Sequence, residues 1–160
     1  MEKTKLDVDS FKLDYTEVNQ IKPKLDKLKK AFFSHKTKDT NFRLDQFKKL
    51  RRGIDKYAKE IGRTNYLDLG FGDYSNDINT MAIVLSDIDY IISNFQDWAK
   101  PRSVHTPLLL APSTSCLFPE PYGVCVIFSA WNSQYQTLLQ PMAAALAAGN
   151  CVLAKPSEMA

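Results

Sequence analysis

The stretch "YGVCVIFSAWNSQYQTLLQPMAAALAAGNCVLAKPSE", residues 122–158, constrains the fold more than any other part of the chain. "VCVIF" is an unbroken apolar run rich in β-branched residues, without the polar alternation of a half-exposed strand, so it predicts a strand covered on both faces. Residues 135–148 suit a helix, with Pro141 either in its first turn or at a kink, and Gly149–Asn150 ends it. "CVLA" then reads as a second strand. Two strands joined through a helix must lie parallel, because a parallel pair needs a long crossover where a hairpin needs only a tight turn. The chain therefore opens an α/β sheet whose ligands would lie outside the carboxyl ends of the strands.

Upstream the periodicity is helical. Ile21, Leu25, Leu28 and Phe32 recur at helical spacing, and so do Leu44, Phe47, Leu50, Ile54, Tyr57 and Ile61, with a stop expected at Gly62. A third stripe, Ile78, Met81, Leu85, Ile88, Ile92, Phe95 and Trp98, has Ser75 as a candidate cap and Pro101 as a stop, and predicts the longest helix. Each stripe is expected to pack into the core. "HTPLLLAPSTSCLFPEP" places two short apolar runs around a Pro/Ser/Thr turn and reads as a β-hairpin. The segmentation is a helical region over 1–101, a hairpin over 102–121 and the start of an α/β nucleotide-binding domain over 122–160.

Charge narrows the function classes. Residues 1–60 hold 17 Lys/Arg against 10 Asp/Glu, and residues 61–160 hold 4 against 8. The basic half interleaves its acids and shows no aromatic–basic alternation, so it reads as solvated helix surface, with no nucleic-acid partner expected. No run of about 18 apolar residues is present to span a bilayer, and "MEKTKLDVDSF" is unlike a signal peptide, so a cytoplasmic protein without a membrane segment is expected. Three cysteines, Cys116, Cys125 and Cys151, are too few and too widely spaced for a disulfide framework or a zinc site. Neither GxGxxG nor GxxxxGK[ST] occurs, so the strand–helix–strand unit by itself names no ligand.

The segments "EPYGVCVIFSAWN", "LQPMAAALAAGN" and "LAKPSE", in this order and at these separations, resemble the aldehyde dehydrogenase superfamily. The upstream segments "AFFSHKTKDTNFRLDQFKKLRRGIDKYAKEI" and "DYSNDINTMAIVLSDIDYIISNFQDWAKPRSV" resemble its class 3 branch, whose members oxidise fatty and aromatic aldehydes. The resemblance implies N-terminal helices and an oligomerisation-type hairpin, followed by the first βαβ unit of a Rossmann-like NAD(P)-binding sheet that is truncated here. It also implies NAD or NADP as cofactor, an aldehyde as substrate and a homo-oligomer, by family a dimer.

Residue by residue, the resemblance makes Asn132 the donor to the oxyanion formed when a thiolate adds to the carbonyl. It makes Lys155 and Glu158 the partners of the adenosine ribose, and Phe128, Ser129, Ala130 and Trp131 part of the cofactor path. This chain departs from the family at Ser133 and Gln134, where Tyr-Pro is common, and at Ser129, where Gly is usual. The family's nucleophilic Cys and its Glu base have no counterpart by motif within these 160 residues, so this chain alone is expected to be inactive. The competing readings are a short pseudoenzyme derived from the family and a structural or interaction protein.

Overall fold

The computed structural model describes residues 16–70, 72 and 81–159. The candidate cap Ser75 and the first stripe residue Ile78 lie outside them. Five segments shape the first two-thirds of the chain: α1 (Val18–Phe33), α2 (Thr40–Leu69), α3 (Ile83–Trp98), and the strands β1 (Arg102–Val104) and β2 (Ser115–Leu117). The strand–helix–strand unit follows as β3 (Val124–Phe128), α4 (Gln134–Ala147) and β4 (Cys151–Lys155). β3 and β4 are parallel, in a register that pairs Val124 with Cys151 and Phe128 with Lys155. The α/β class with a parallel βαβ unit is therefore the observed fold.

The core is helical. Phe47, Ile54 and Ile61 of α2 form one buried cluster with Met81 and with Val84, Ile88, Ile91 and Phe95 of α3. The Phe47 and Phe95 rings meet at a centroid distance of 5.7 Å. From α4 come Ala143 and Ala147, so the small-residue face serves a close approach between helices as well as to the sheet.

Several expectations change. α2 runs through Gly62 to Gly70, which takes the left-handed conformation and donates its N–H to the Tyr66 carbonyl at 3.0 Å. A single interior glycine costs a helix about 1 kcal/mol relative to alanine, less than burying an isoleucine such as Ile61 returns. Among the described residues α2, with 30 residues, is the longest helix, and α3 has 16. The expected stripe is buried at Met81, Ile88 and Phe95, but the buried face also takes in Val84 and Ile91, while Trp98 is 50% exposed. In α1 the expected core stripe has no buried residue: α1 packs against β3 and β4 and lies outside the buried cluster of α2, α3 and α4. The hairpin exists, but its first strand is Arg102–Val104, and Leu108–Leu110 forms an exposed 3₁₀ turn in the connection.

β3 is less covered than its sequence predicts: Val126 and Phe128 are largely exposed. Pro141 lies in the middle of α4 and not in its first turn. Gly149 (φ 93°) makes the sharp exit that no side chain would tolerate well, and Asn150, 3% exposed, fastens it. The Asn150 carboxamide accepts from the Gly123 N–H at 2.8 Å and donates to the Ala145 carbonyl at 3.1 Å, tying the start of β3 to the end of α4. Asn150→Ala leaves a buried N–H unpartnered and is expected to lower unfolding stability by about 2 kcal/mol in urea titrations.

At the same end of that helix, Arg43 of α2 is 8% exposed, and its guanidinium donates to the carbonyls of Ala147 and Lys38. It stacks its cation 5.4 Å from the Phe95 ring centroid. Burial holds its pKa below the ordinary arginine value, opposed by the Asp39 carboxylate. Asp39 itself caps α2 by accepting from the Phe42 N–H at 2.6 Å. Among the described residues no helix is long and apolar enough to cross a membrane.

Candidate functional site at the carboxyl edge of the parallel strands

The β3–β4 ladder ends at Phe128 opposite Lys155, and one further bond, from the Ser129 N–H to the Lys155 carbonyl at 3.1 Å, carries the pairing just past it. Beyond this point the two chains part. Residues 129–133 turn into α4, and residues 156–158 leave β4. This is where a parallel α/β sheet exposes backbone groups to a ligand.

Thr137, one turn into α4, holds the first of these loops. Its hydroxyl donates to the Ser133 carbonyl at 3.0 Å and accepts from the Ala130 N–H at 3.2 Å. Sequence reasoning passed over Thr137; the signal was a hydroxyl residue four places after Ser133, the spacing at which a threonine can bond back to a carbonyl in the preceding turn. With the loop fixed, Asn132 is exposed and its carboxamide makes no hydrogen bond among the described residues. Trp131, 52% exposed, and Phe128 flank it as open apolar surface.

Lys155 and Glu158 come together: the ammonium donates to the Glu158 carboxylate across three residues, and both side chains are about half exposed. The lysine hydrogen bond, a backbone N–H bond and the lysine charge hold the Glu158 carboxyl below its ordinary value, so it stays ionised and accepts hydrogen bonds at neutral pH. The pair offers donors from Lys155 and acceptors from Glu158, the set that vicinal hydroxyls require.

Behind the loop lies a crevice of 400 Å³ between the carboxyl half of α2 and the start of α4, with Ser129, Asp68 and Gln134 in its wall. The Gln134 amide nitrogen lies 3.4 Å from both the Asn65 and the Asp68 side-chain oxygens, and the Tyr135 hydroxyl bonds Thr64 at 2.8 Å. The Ser129 hydroxyl and the Gln134 carbonyl oxygen are buried without a partner among the described residues. Ser129 and Gln134 are two of the positions at which the sequence departs from the pattern it resembles. They make the wall polar.

The cysteines stand apart from this edge. Cys151 is buried in β4, and desolvation raises its thiol pKa, which disfavours the thiolate. Cys125 lies half-buried in β3, and exposed Cys116 lies in the hairpin, 4.0 Å from the Ser103 hydroxyl.

Comparison with known proteins agrees with this architecture. The profile of the aldehyde dehydrogenase family matches residues 11–160. The chain is 35% identical over 136 residues to mouse aldehyde dehydrogenase family 3 member B3, covering 85% of this chain and 28% of that protein. It is 37% identical over 131 residues to 4,4'-diaponeurosporen-aldehyde dehydrogenase of Staphylococcus aureus, covering 81% and 28%. It is 32% identical over 142 residues to the rat protein named aldehyde dehydrogenase, dimeric NADP-preferring, covering 89% and 31%. A solved structure described as the substrate-bound state of Staphylococcus aureus AldH superposes with a TM-score of 0.84 at 36% identity, covering 86% of this chain and 30% of that one. The chain thus spans under a third of the length of these relatives. With the βαβ unit, the loop after β3 and the Lys155–Glu158 pair all falling within the matched residues, the chain belongs to the aldehyde dehydrogenase family, beside relatives of its class 3 branch.

Proposed function

We propose that these residues form the N-terminal part of an NAD(P)-dependent aldehyde dehydrogenase that oxidises fatty or aromatic aldehydes to carboxylic acids. The observation that carries the reading is the Lys155–Glu158 pair at the carboxyl end of β4, beside a loop that presents Asn132 after β3. When bound, the nicotinamide cofactor supplies the hydride acceptor. The chain's own residues do the rest of what is proposed here. Lys155 donates to a ribose hydroxyl and Glu158 accepts from one, while Phe128, Ser129, Ala130 and Trp131 flank the cofactor path. Asn132 aims an amide N–H at the oxygen that gains charge, a contribution of about 3 kcal/mol for one such donor.

Because Lys155 and Glu158 already bond each other, a ribose must insert into the pair or share it, which favours modest affinity in these residues alone. A carboxylate beside the 2′ position opposes a 2′-phosphate unless it swings aside, so NAD and NADP both stay within the proposal, as does a homodimer. The segmentation proposed is a helical region over 1–101, the hairpin over 102–121 and the nucleotide-binding portion from 122. A cytoplasmic location belongs to the same reading, supported by three free cysteines that suit a reducing compartment.

Titration of the isotope-labelled chain with NAD tests the site. Amide shifts are expected to cluster at residues 129–133 and 155–158, with weak affinity that Lys155→Ala reduces further. The pH dependence has a fixed sign. The folded Glu158 pKa lies below its ordinary value, so the ion pair is fully formed above that ordinary value and is lost as pH falls through the depressed one. NAD-induced shifts are expected to fade over the same acid range. Shifts confined to other surfaces, or affinity indifferent to Lys155, would refute the assignment.

A further inference from the structure

The loop that carries Asn132 hangs on one hydroxyl. It begins just after the Ser129 N–H has given its bond to the Lys155 carbonyl at 3.1 Å, and it ends where α4 starts at Gln134. Ser133, the residue before α4, makes no side-chain capping bond. Among the described residues, every hydrogen bond of residues 130–132 runs to the side chain of Thr137.

A threonine hydroxyl has one proton to give and two lone pairs to offer. Here the proton goes to the Ser133 carbonyl at 3.0 Å, with the Ala130 carbonyl, at 3.5 Å, as the longer alternative. The Ala130 N–H donates to the same oxygen at 3.2 Å. The bond to Ser133 alone is ordinary, since a helical threonine often bonds back to the carbonyl four residues earlier, and the Thr137 N–H shares that carbonyl at 2.9 Å. The bond from Ala130 is of another kind. It ties a residue outside the helix, seven positions earlier, to the first turns of α4. A helical threonine chooses between two rotamers, and the bond to Ser133 selects the one that also turns a lone pair toward Ala130. Both bonds pass through one oxygen, so its removal frees both ends of the turn at once.

We infer that Thr137 is the positioning residue of the Asn132 loop. Its hydroxyl sets the turn from which Ala130, Trp131 and Asn132 project, and it acts through that turn without touching a ligand itself. That these residues meet a cofactor and an oxyanion rests on the function proposed above; the hold of Thr137 on the loop does not.

Thr137→Val keeps the branching and removes the oxygen, whereas Thr137→Ser keeps the oxygen and removes a methyl. In the isotope-labelled 160-residue chain without cofactor, Thr137→Val is expected to speed amide exchange at Ala130 about tenfold, the ratio equivalent to one hydrogen bond, and to lower the backbone order of Trp131 and Asn132. Amides at residues 138–147 of α4 are expected to keep their exchange rates, because the substitution leaves the backbone bonds of the helix in place. Thr137→Ser is expected to return Ala130 and Asn132 to wild-type behaviour. With NAD added, Thr137→Val is expected to weaken the shifts at 130–133 and to retain those at 155–158. The exchange measurements use no cofactor, so they decide the role of Thr137 separately from the NAD titration that decides the function of the edge. Unchanged exchange at Ala130 in Thr137→Val, no recovery in Thr137→Ser, or an equal rise along the whole of α4 would each overturn the inference.

Discussion

Supplied with NAD or NADP and an aliphatic or aromatic aldehyde, the purified 160-residue polypeptide is expected to generate no reduced cofactor above a protein-free control. Aldehyde oxidation of this type begins with a thiolate adding to the carbonyl, and a thiol works as a nucleophile only when it is placed beside the substrate and ionised. Cys151 fails on both counts: it is sealed in β4, and burial pushes its pKa up. Cys125 lies within β3 and Cys116 in the hairpin, neither on the loop that presents Asn132. The proposed oxyanion donor and ribose pair, without a nucleophile, lower no barrier that the reaction meets. Aldehyde-dependent formation of NADH that vanishes on Cys116→Ser, Cys125→Ser or Cys151→Ser would show that one of these thiols is competent and would sink the expectation.

The second large effect is on stability. Phe47→Ala is expected to cost about 3–5 kcal/mol, a large share of the 5–15 kcal/mol that ordinarily separates a domain from its unfolded state. Phe47 is 1% exposed, and its ring lies between the α2 face and Phe95 of α3, at the point where α4 brings in Ala143 and Ala147. Alanine there opens a void with three helices around it, none of which can close it without unpacking from the other two. Phe47→Leu, which keeps most of the volume, should cost much less. Urea denaturation followed by circular dichroism distinguishes them; equal midpoints for wild type and Phe47→Ala would show that this cluster does not hold the fold.

The two predictions touch different ends of the molecule, and this reflects how the chain is built. The helical cluster of α2, α3 and α4 holds α4 in place. α4 in turn fixes both loops of the carboxyl edge, through Thr137 at its start and through Asn150 just past its end. A change in the cluster should therefore disturb the loop that carries Asn132, whereas a change at Lys155 or Glu158, both exposed, should leave stability nearly untouched.

What was legible in the sequence is what local pattern encodes. The unbroken apolar run over residues 124–128, the alanine-rich helix and the Gly149–Asn150 exit determined a strand, a crossover helix and a second strand, because each depends on period, length and turn chemistry that neighbouring residues supply. The positions of the KPSE motif and of Asn132 follow from where the strands end, but that they belong to a site was legible only through the resemblance to the aldehyde dehydrogenase pattern. Tertiary structure decided the rest. Gly62 reads as a helix stop until the packing of Ile61 against α3 offsets its cost, so the true end waits for Gly70. Leu108–Leu110 reads as a strand until Arg102–Val104 takes the only pairing that β2 makes among the described residues. Arg43 and Ala147 are 104 positions apart, and no local pattern brings a guanidinium to the last carbonyls of a distant helix. Periodicity specifies which face of a segment is apolar; the partner that covers that face, and the polar groups left to meet each other around it, are set only when the segments pack.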